Sequence, residues 1–226
     1  MTDALLSDLL VIDLSNGIAG AYCCLLFRHL GAEVVRADLP NRSSAGKPYL
    51  NAGKKSITLD ASRPEGAALL RRLAEHADIL VTDDLPSNLD YAALSRQNPR
   101  LVLTRITNSP SNDDGHFSAY FTGLNAFTAT MLPLVKMAIL GRGQQIEVDG
   151  AECLAAAAFV ADGGRAEIGW PESEGDEALP PFTVVGQARG PAPRVSNPGE
   201  HNDEVYCGLL GVSGEELSHL TEASII

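Results

Sequence analysis

The chain has 226 residues, 45% of them hydrophobic, enough apolar material for one sizeable core with at most a small appendage. Its 29 acidic residues outnumber 17 Lys and Arg, and the net charge of −12 argues against nucleic acid or an anionic membrane as the main partner. No run approaches the roughly 18 apolar residues needed to span a bilayer, and Met1-Thr2-Asp3 lacks the basic start of a secretory signal, so a cytoplasmic protein is expected.

The apolar run Leu9 to Leu14 ends in Ser15-Asn16-Gly17 and gives way to helical spacing through Tyr22, Leu25, Leu26, His29 and Leu30, which reads as strand, loop, helix. Ala32 to Ala37 predicts a second strand and Ser56 to Leu59 a third; after the turn Asp60–Arg63, Pro64 opens a helix through Leu69, Leu70 and Leu73. Ile79 to Thr82 is a strand, Leu89 to Arg96 a short helix and Leu101 to Thr107 a β-branched strand. Tyr120 to Leu140 is a long apolar helix in which Pro133 predicts a kink. Gln145 to Val148 gives one more strand, leading into an alanine-rich helix from Gly150 to Val160.

From Asp162 to Pro198 the periodicity fades into Gly, Pro and acidic residues, the composition of a connector. Helices return at Asp203 to Leu210 and Gly214 to Ala223 and are expected to dock on the main body. Alternating strands and helices of this length imply a mostly parallel, Rossmann-like doubly wound α/β sheet covered on both faces. The implied organisation is a main domain over residues 1–160, a connector over 161–198 and a returning helical tail over 199–226. Cys23, Cys24, Cys153 and Cys207 show no metal spacing and read as reduced thiols, and no metal is called for.

Several segments carry a resemblance: Val11-Ile12-Asp13-Leu14-Ser15, Gly17-Ile18-Ala19-Gly20-Ala21-Tyr22, Leu30-Gly31-Ala32-Glu33-Val34-Val35-Arg36, Leu50-Asn51-Ala52-Gly53-Lys54-Lys55, Ala77-Asp78-Ile79-Leu80-Val81 and Asn98-Pro99-Arg100-Leu101-Val102. Gly141 to Asp149 and the tail around Gly199-Glu200-His201-Asn202-Asp203 extend it. In this order they resemble the class III CoA-transferases, which include formyl-CoA and carnitine CoA-transferases and the α-methylacyl-CoA racemases. The resemblance implies coenzyme A or an acyl-CoA as ligand, and a homodimer. It also implies a second small domain, where this chain has only the short stretch Ala161 to Gly190.

Enzymes of that family form an acyl-aspartyl anhydride, because a carboxylate can attack a thioester and free CoA can attack the resulting anhydride. The resemblance puts that aspartate at the position of Ala119, before Tyr120-Phe121-Thr122-Gly123. A methyl group does no nucleophilic or acid–base work. Gly115-His116 resembles the start of the racemase Gly-His-Asp sequence, which makes His116 the candidate acid/base, with Asp113 or Asp114 orienting it. Against this stands the reading of His116 as a surface histidine at a helix start.

Arg36, Lys54 and Lys55 occupy positions that in the family meet the nucleotide end, where cations pair with phosphates. The loop Ser15, Asn16, Gly17 opens a helix and could present backbone donors to a ligand. It has neither GxGxxG spacing nor a P-loop lysine, so nucleotide redox chemistry is unsupported. Asp83-Asp84 stands where the family has Asn-Phe and would repel a polyanion. Two functions follow: a divergent enzyme moving a proton on an acyl thioester or a related acyl metabolite, or a non-catalytic protein binding CoA, an acyl carrier protein or a full-length partner.

Overall fold

The computed structural model describes residues 4–38, 48–87, 89–109, 116–160 and 194–226, leaving aside the side chains of residues 116 and 156–160. Six parallel strands, β1 (Leu10–Asp13), β2 (Glu33–Asp38), β3 (Lys55–Thr58), β4 (Ile79–Thr82), β5 (Val102–Thr107) and β6 (Gln145–Asp149), form one sheet in the order β3-β2-β1-β4-β5-β6. The helices are α1 (Ile18–His29), α2 (Pro64–His76), α3 (Tyr91–Gln97), α4 (His116–Leu140), α5 (Gly150–Val160) and α6 (Gly214–Glu222). The doubly wound α/β class read from the sequence is the class found.

Side chains alternate across each strand, so neighbouring residues feed opposite layers. Ile12, Val35, Leu80 and Leu103 face α2, α3 and the C-terminal segment, whereas Val11, Val34, Val81 and Val102 face α1 and α4. The tail completes the first layer: Val205, Tyr206, Leu210, Leu220, Ile225 and Ile226 are buried in it. The Tyr206 hydroxyl donates to the Thr58 carbonyl at 2.7 Å, and the Asp60 N–H donates to the Ile225 carbonyl at 2.7 Å.

Side-chain caps fix α3 and α6. The Asp90 carboxylate accepts the Ala93 N–H at 2.6 Å to start α3, and the Ser213 hydroxyl accepts the Glu216 N–H at 3.1 Å to start α6. The first returning segment, Asp203–Leu209, is π-helical, where the sequence predicted an ordinary helix. Its wider turn puts Val205 and Tyr206 into the core and closes with the Leu210 N–H on the Val205 carbonyl.

Two expectations for α4 need correction. It begins at His116, a turn earlier than predicted, and has Pro133 inside it. It is also, over the 24 residues Phe117–Leu140, long and apolar enough by length and composition to cross a membrane. Counting uninterrupted apolar runs missed this, because Thr122, Asn125, Thr128 and Thr130 interrupt the runs while leaving the mean hydropathy high. Hydroxyls explain how such residues fit: Thr122, Thr128 and Thr130 each donate to the carbonyl four residues back, and Thr130 also meets Thr104 of β5 at 2.7 Å. That contact and the packing of α4 on α1 tie one side of the helix into the fold. The expected connector lies almost wholly outside the described residues; its last part, Arg194 to Pro198, runs beside β3, with the Arg194 carbonyl accepting the Gly53 N–H at 2.9 Å.

Candidate functional site

Strand order reverses between β1 and β4, and in open α/β sheets ligands bind beyond the carboxyl ends of the strands at such a switch point. Helices that follow parallel strands start at that edge, so α1 after β1 and α4 after β5 both begin there. Their first halves pack closely: Gly123 lies against the Ala19 carbonyl, where a Cβ would come within 2.4 Å of the oxygen, and the Tyr22 and Tyr120 rings meet edge to face at 5.0 Å.

Register sets the charged residues side by side. Asp13 pairs with Arg36 across β1 and β2, and Arg36 with Ser56 across β2 and β3. Lys54, just before β3, is 2% exposed; its ammonium lies 2.7 Å from Asp13 and 2.8 Å from the Ala21 carbonyl. The Arg36 guanidinium donates to Asp38 and to the Asn51 side-chain oxygen, each at 2.8 Å, and the Ser56 hydroxyl donates to Asp38 at 3.2 Å. The Ser15 hydroxyl donates to the other oxygen of Asp13 at 2.6 Å. Burial pushes the Asp13 carboxyl up, but Lys54 and Arg36 outweigh it and hold it at about 2. Burial pushes the thiols of Cys23 and Cys24 well up, beside the same carboxylate, and leaves them inert.

The cations singled out in the sequence are therefore each matched by acids. Lys54 is paired with Asp13 and Arg36 with Asp38, and Lys55 bridges Glu33 and Glu204 at 2.8 Å each. The loop is matched too: the Asp83 carboxylate accepts the N–H of Asn16 at 2.6 Å and of Gly17 at 3.2 Å. It occupies the donors that an anion would otherwise use at the start of α1. Burial raises the Asp83 carboxyl above the ordinary aspartate range, opposed by those two N–H groups.

Ala119 is 2% exposed, in an apolar cluster with Ile18, Ala21, Tyr22, Leu25 and Tyr120. His116 opens α4 by its backbone, and its side chain, with Asp113 and Asp114, lies outside the described residues. His201 is placed as a structural partner: its Nδ1 accepts the Ser56 N–H at 3.1 Å. Asp149 caps α5 by accepting the N–H groups of Ala151 and Glu152.

Sequence reading passed over Asp13 and Asn51, which join the two buried cations, and saw Asp83 only as a repulsive charge. A lone carboxylate ending the apolar run Leu9 to Leu14 was the available signal for Asp13, because a charge predicted to be buried needs a partner. A concavity of about 360 Å³ lies beside β5, lined by residues including Asp84, Tyr91, Leu103 and Arg105. There Arg105 lies 3.1 Å from Asp84 and 3.5 Å from Glu147.

Residues 6–113 match the family model of CoA-transferase family III. Over that segment, just under half of its length, the chain is similar to CoA-transferase family III. Human α-methylacyl-CoA racemase is 37% identical over 109 residues, covering 45% of this chain and 28% of the racemase. The succinate–glutarate CoA-transferase of Agrobacterium fabrum is 30% identical over 151 residues, covering 54% of this chain and 38% of the transferase. The chain thus spans well under half the length of these curated family III relatives. A CaiB/BaiF family protein from Brucella suis superposes with a TM-score of 0.62 at 25% identity, over 72% of this chain and 59% of that one. The family III match ends at residue 113, so α4, with Ala119 and His116, lies beyond it.

Proposed function

We propose that this chain acts on an acyl-CoA thioester by moving a proton at the carbon next to the thioester, not by forming an acyl-aspartyl anhydride. The observation that carries the reading is the residue pattern of α4: position 119 holds a buried alanine, and a histidine opens the helix three residues earlier, at the carboxyl edge of the sheet. The similarity to a racemase supports the substrate class. In the step proposed, the neutral His116 imidazole takes the α-proton, the electron pair moves into the thioester carbonyl as an enolate, and the same proton or a solvent proton returns to carbon. The N-terminus of a helix favours developing negative charge, so the start of α4 would favour the enolate oxygen.

A second reading is favoured by Asp83 and the paired cations: a protein that holds an acyl-CoA, an acyl carrier or a full-length family member without turning anything over. One experiment separates the two. A 2-methylacyl-CoA is incubated with the protein in D2O and loss of the α-proton signal is followed by NMR, with His116→Ala alongside. Exchange that His116→Ala abolishes supports proton transfer, and binding without exchange supports the second reading. Exchange that His116→Ala leaves untouched overturns the catalytic assignment.

A further inference from the structure

The loop at the head of α1 contains a reactive pair. Of the asparagines in the sequence only Asn16 precedes a glycine. Glycine leaves its backbone nitrogen unshielded by a side chain and its φ and ψ unrestricted, so that nitrogen can reach the side-chain carbonyl carbon of the residue before it. Other asparagines have their side-chain amides held in the fold. Asn51 accepts from Arg36, Asn98 donates to the Ala74 and Ala77 carbonyls, Asn108 to Asp149, Asn125 to the Phe121 carbonyl and Asn202 to Thr58. Asn16 is exposed, and among the described residues it is held through its backbone alone.

One oxygen restrains the pair. Oδ2 of Asp83 accepts the Asn16 N–H at 2.6 Å and the Gly17 N–H at 3.2 Å, the second bond being the longer and weaker. The Gly17 carbonyl accepts the Ala21 N–H at 3.2 Å as α1 begins. The Gly17 nitrogen therefore sits between the helix and Asp83, while the side chain of Asn16 turns in solvent.

We propose that Asn16-Gly17 is a modification site, at which Asn16 closes onto the Gly17 nitrogen and reopens as aspartate or isoaspartate, and that Asp83 restrains the reaction. In the closing step the Gly17 nitrogen bonds to Cγ of Asn16 and the Cγ–Nδ2 bond breaks. The leaving nitrogen departs as ammonia, taking the proton that the Gly17 nitrogen gives up. Water then opens the five-membered imide: cleavage at Cγ gives aspartate, and cleavage at the backbone carbonyl gives isoaspartate. One water is consumed, one ammonia is released, and no oxidation or reduction occurs.

Asp83 opposes closing in two ways. Its bond to the Gly17 N–H must break before the nitrogen turns toward Cγ, and a negative oxygen beside that nitrogen disfavours loss of its proton. Either product puts a second carboxylate next to Asp83, where like charges repel. Isoaspartate also lengthens the backbone by one carbon between the two N–H groups that share Oδ2. The site is thus a slow, one-way change in the loop at the carboxyl edge of the sheet, and it does not depend on the reaction proposed for His116.

The test is peptide mapping by mass spectrometry of folded protein held for weeks in mildly alkaline buffer at physiological temperature, for wild type, Asp83→Ala and Gly17→Ala. Both products are expected at Asn16 in wild type, with a rate about threefold or more higher in Asp83→Ala and about tenfold or more lower in Gly17→Ala. Gly17 is extended at φ −101°, and a Cβ there would come no closer than 3.9 Å to Asp83, so Gly17→Ala keeps the fold and removes only the reactivity. Modification of the urea-unfolded chain with none in folded wild type or Asp83→Ala overturns the proposal, because the folded loop would then never reach the ring geometry. A rate in Asp83→Ala equal to or below that of wild type overturns the part assigned to Asp83, and an unchanged rate in Gly17→Ala overturns the ring closure. Should Asp83→Ala unfold, Asp83→Asn takes its place, with a rise in rate in the same direction expected.

Discussion

The Lys54 ammonium and the Asp13 carboxylate meet at 2.7 Å with 1% and 0% of their side chains exposed, which makes this pair part of the core. Removing one member leaves a buried charge with no counterion, a loss of roughly 3–5 kcal/mol. Lys54→Ala is therefore expected to lower the urea midpoint sharply, whether or not CoA binds. A variant as stable as wild type that has lost CoA binding would instead return Lys54 to the ligand.

Two carboxylates respond to pH in opposite directions. Asp13, held at about 2 against an ordinary 3.8, gives stability that is fully present above about pH 4 and is lost as pH falls toward 2. Asp83, raised by burial, binds its proton more tightly in the folded state than in the unfolded one, so stability falls as pH rises through the range just above the ordinary aspartate value. Urea melts from pH 2 to 7 should show the first trend in wild type and Asp83→Asn alike. The second should vanish in Asp83→Asn, and a profile identical to wild type there would remove Asp83 from this account.

Asp83→Asn also tests the loop. The substitution keeps the shape beside Asn16 and Gly17 but removes a full negative charge from the anion-accepting start of α1. Calorimetry with CoA at low salt should show about tenfold tighter binding, the worth of one repulsive charge several ångströms away at intermediate dielectric. Unchanged affinity would mean that CoA, if bound, does not approach this loop.

Strand positions were legible because each strand is short, apolar and closed by a turn: Ile79 to Thr82 was read to the residue. The start of α4 was not, since the polar residues before Tyr120 resemble a loop until Phe117 and Phe121 are seen to stack. Candidate ligand residues were legible as types and not as partners. Arg36, Lys54 and Lys55 were picked out as cations, and Asp38 lies two residues along β2 from Arg36, but Asp13, Glu33 and Glu204 come from other strands or from the tail. Only the parallel register and the docking of residues 203–209 bring them together. Asp83 lies 66 residues from Gly17 along the chain, a distance that no local pattern spans.

Close approach of α1 and α4 rests on one glycine. Gly123→Ala would put a methyl group against the Ala19 carbonyl, a backbone atom that cannot swing aside. A loss of about 1–3 kcal/mol is expected, as for other overpacked cores. Thermal unfolding should show a fall of several degrees, and a neutral result would mean that the two helices separate without cost.

Restoring an aspartate at position 119 is the obvious route to anhydride chemistry, and the surroundings of Ala119 oppose it. Ile18, Ala21, Tyr22 and Leu25 pack with Ala119 in one apolar cluster, and the buried cation Lys54 already serves Asp13. A carboxylate placed there must either stay protonated, and so be a poor nucleophile, or ionise at a cost of several kcal/mol. Ala119→Asp is expected to unfold at least 5 °C below wild type and to yield no hydroxylamine-trappable acyl-enzyme with succinyl-CoA or acetyl-CoA at neutral pH. A stable variant that traps an acyl group would show that the pocket retained its transferase geometry and lacked only the nucleophile, and proton transfer by His116 would then lose its main support.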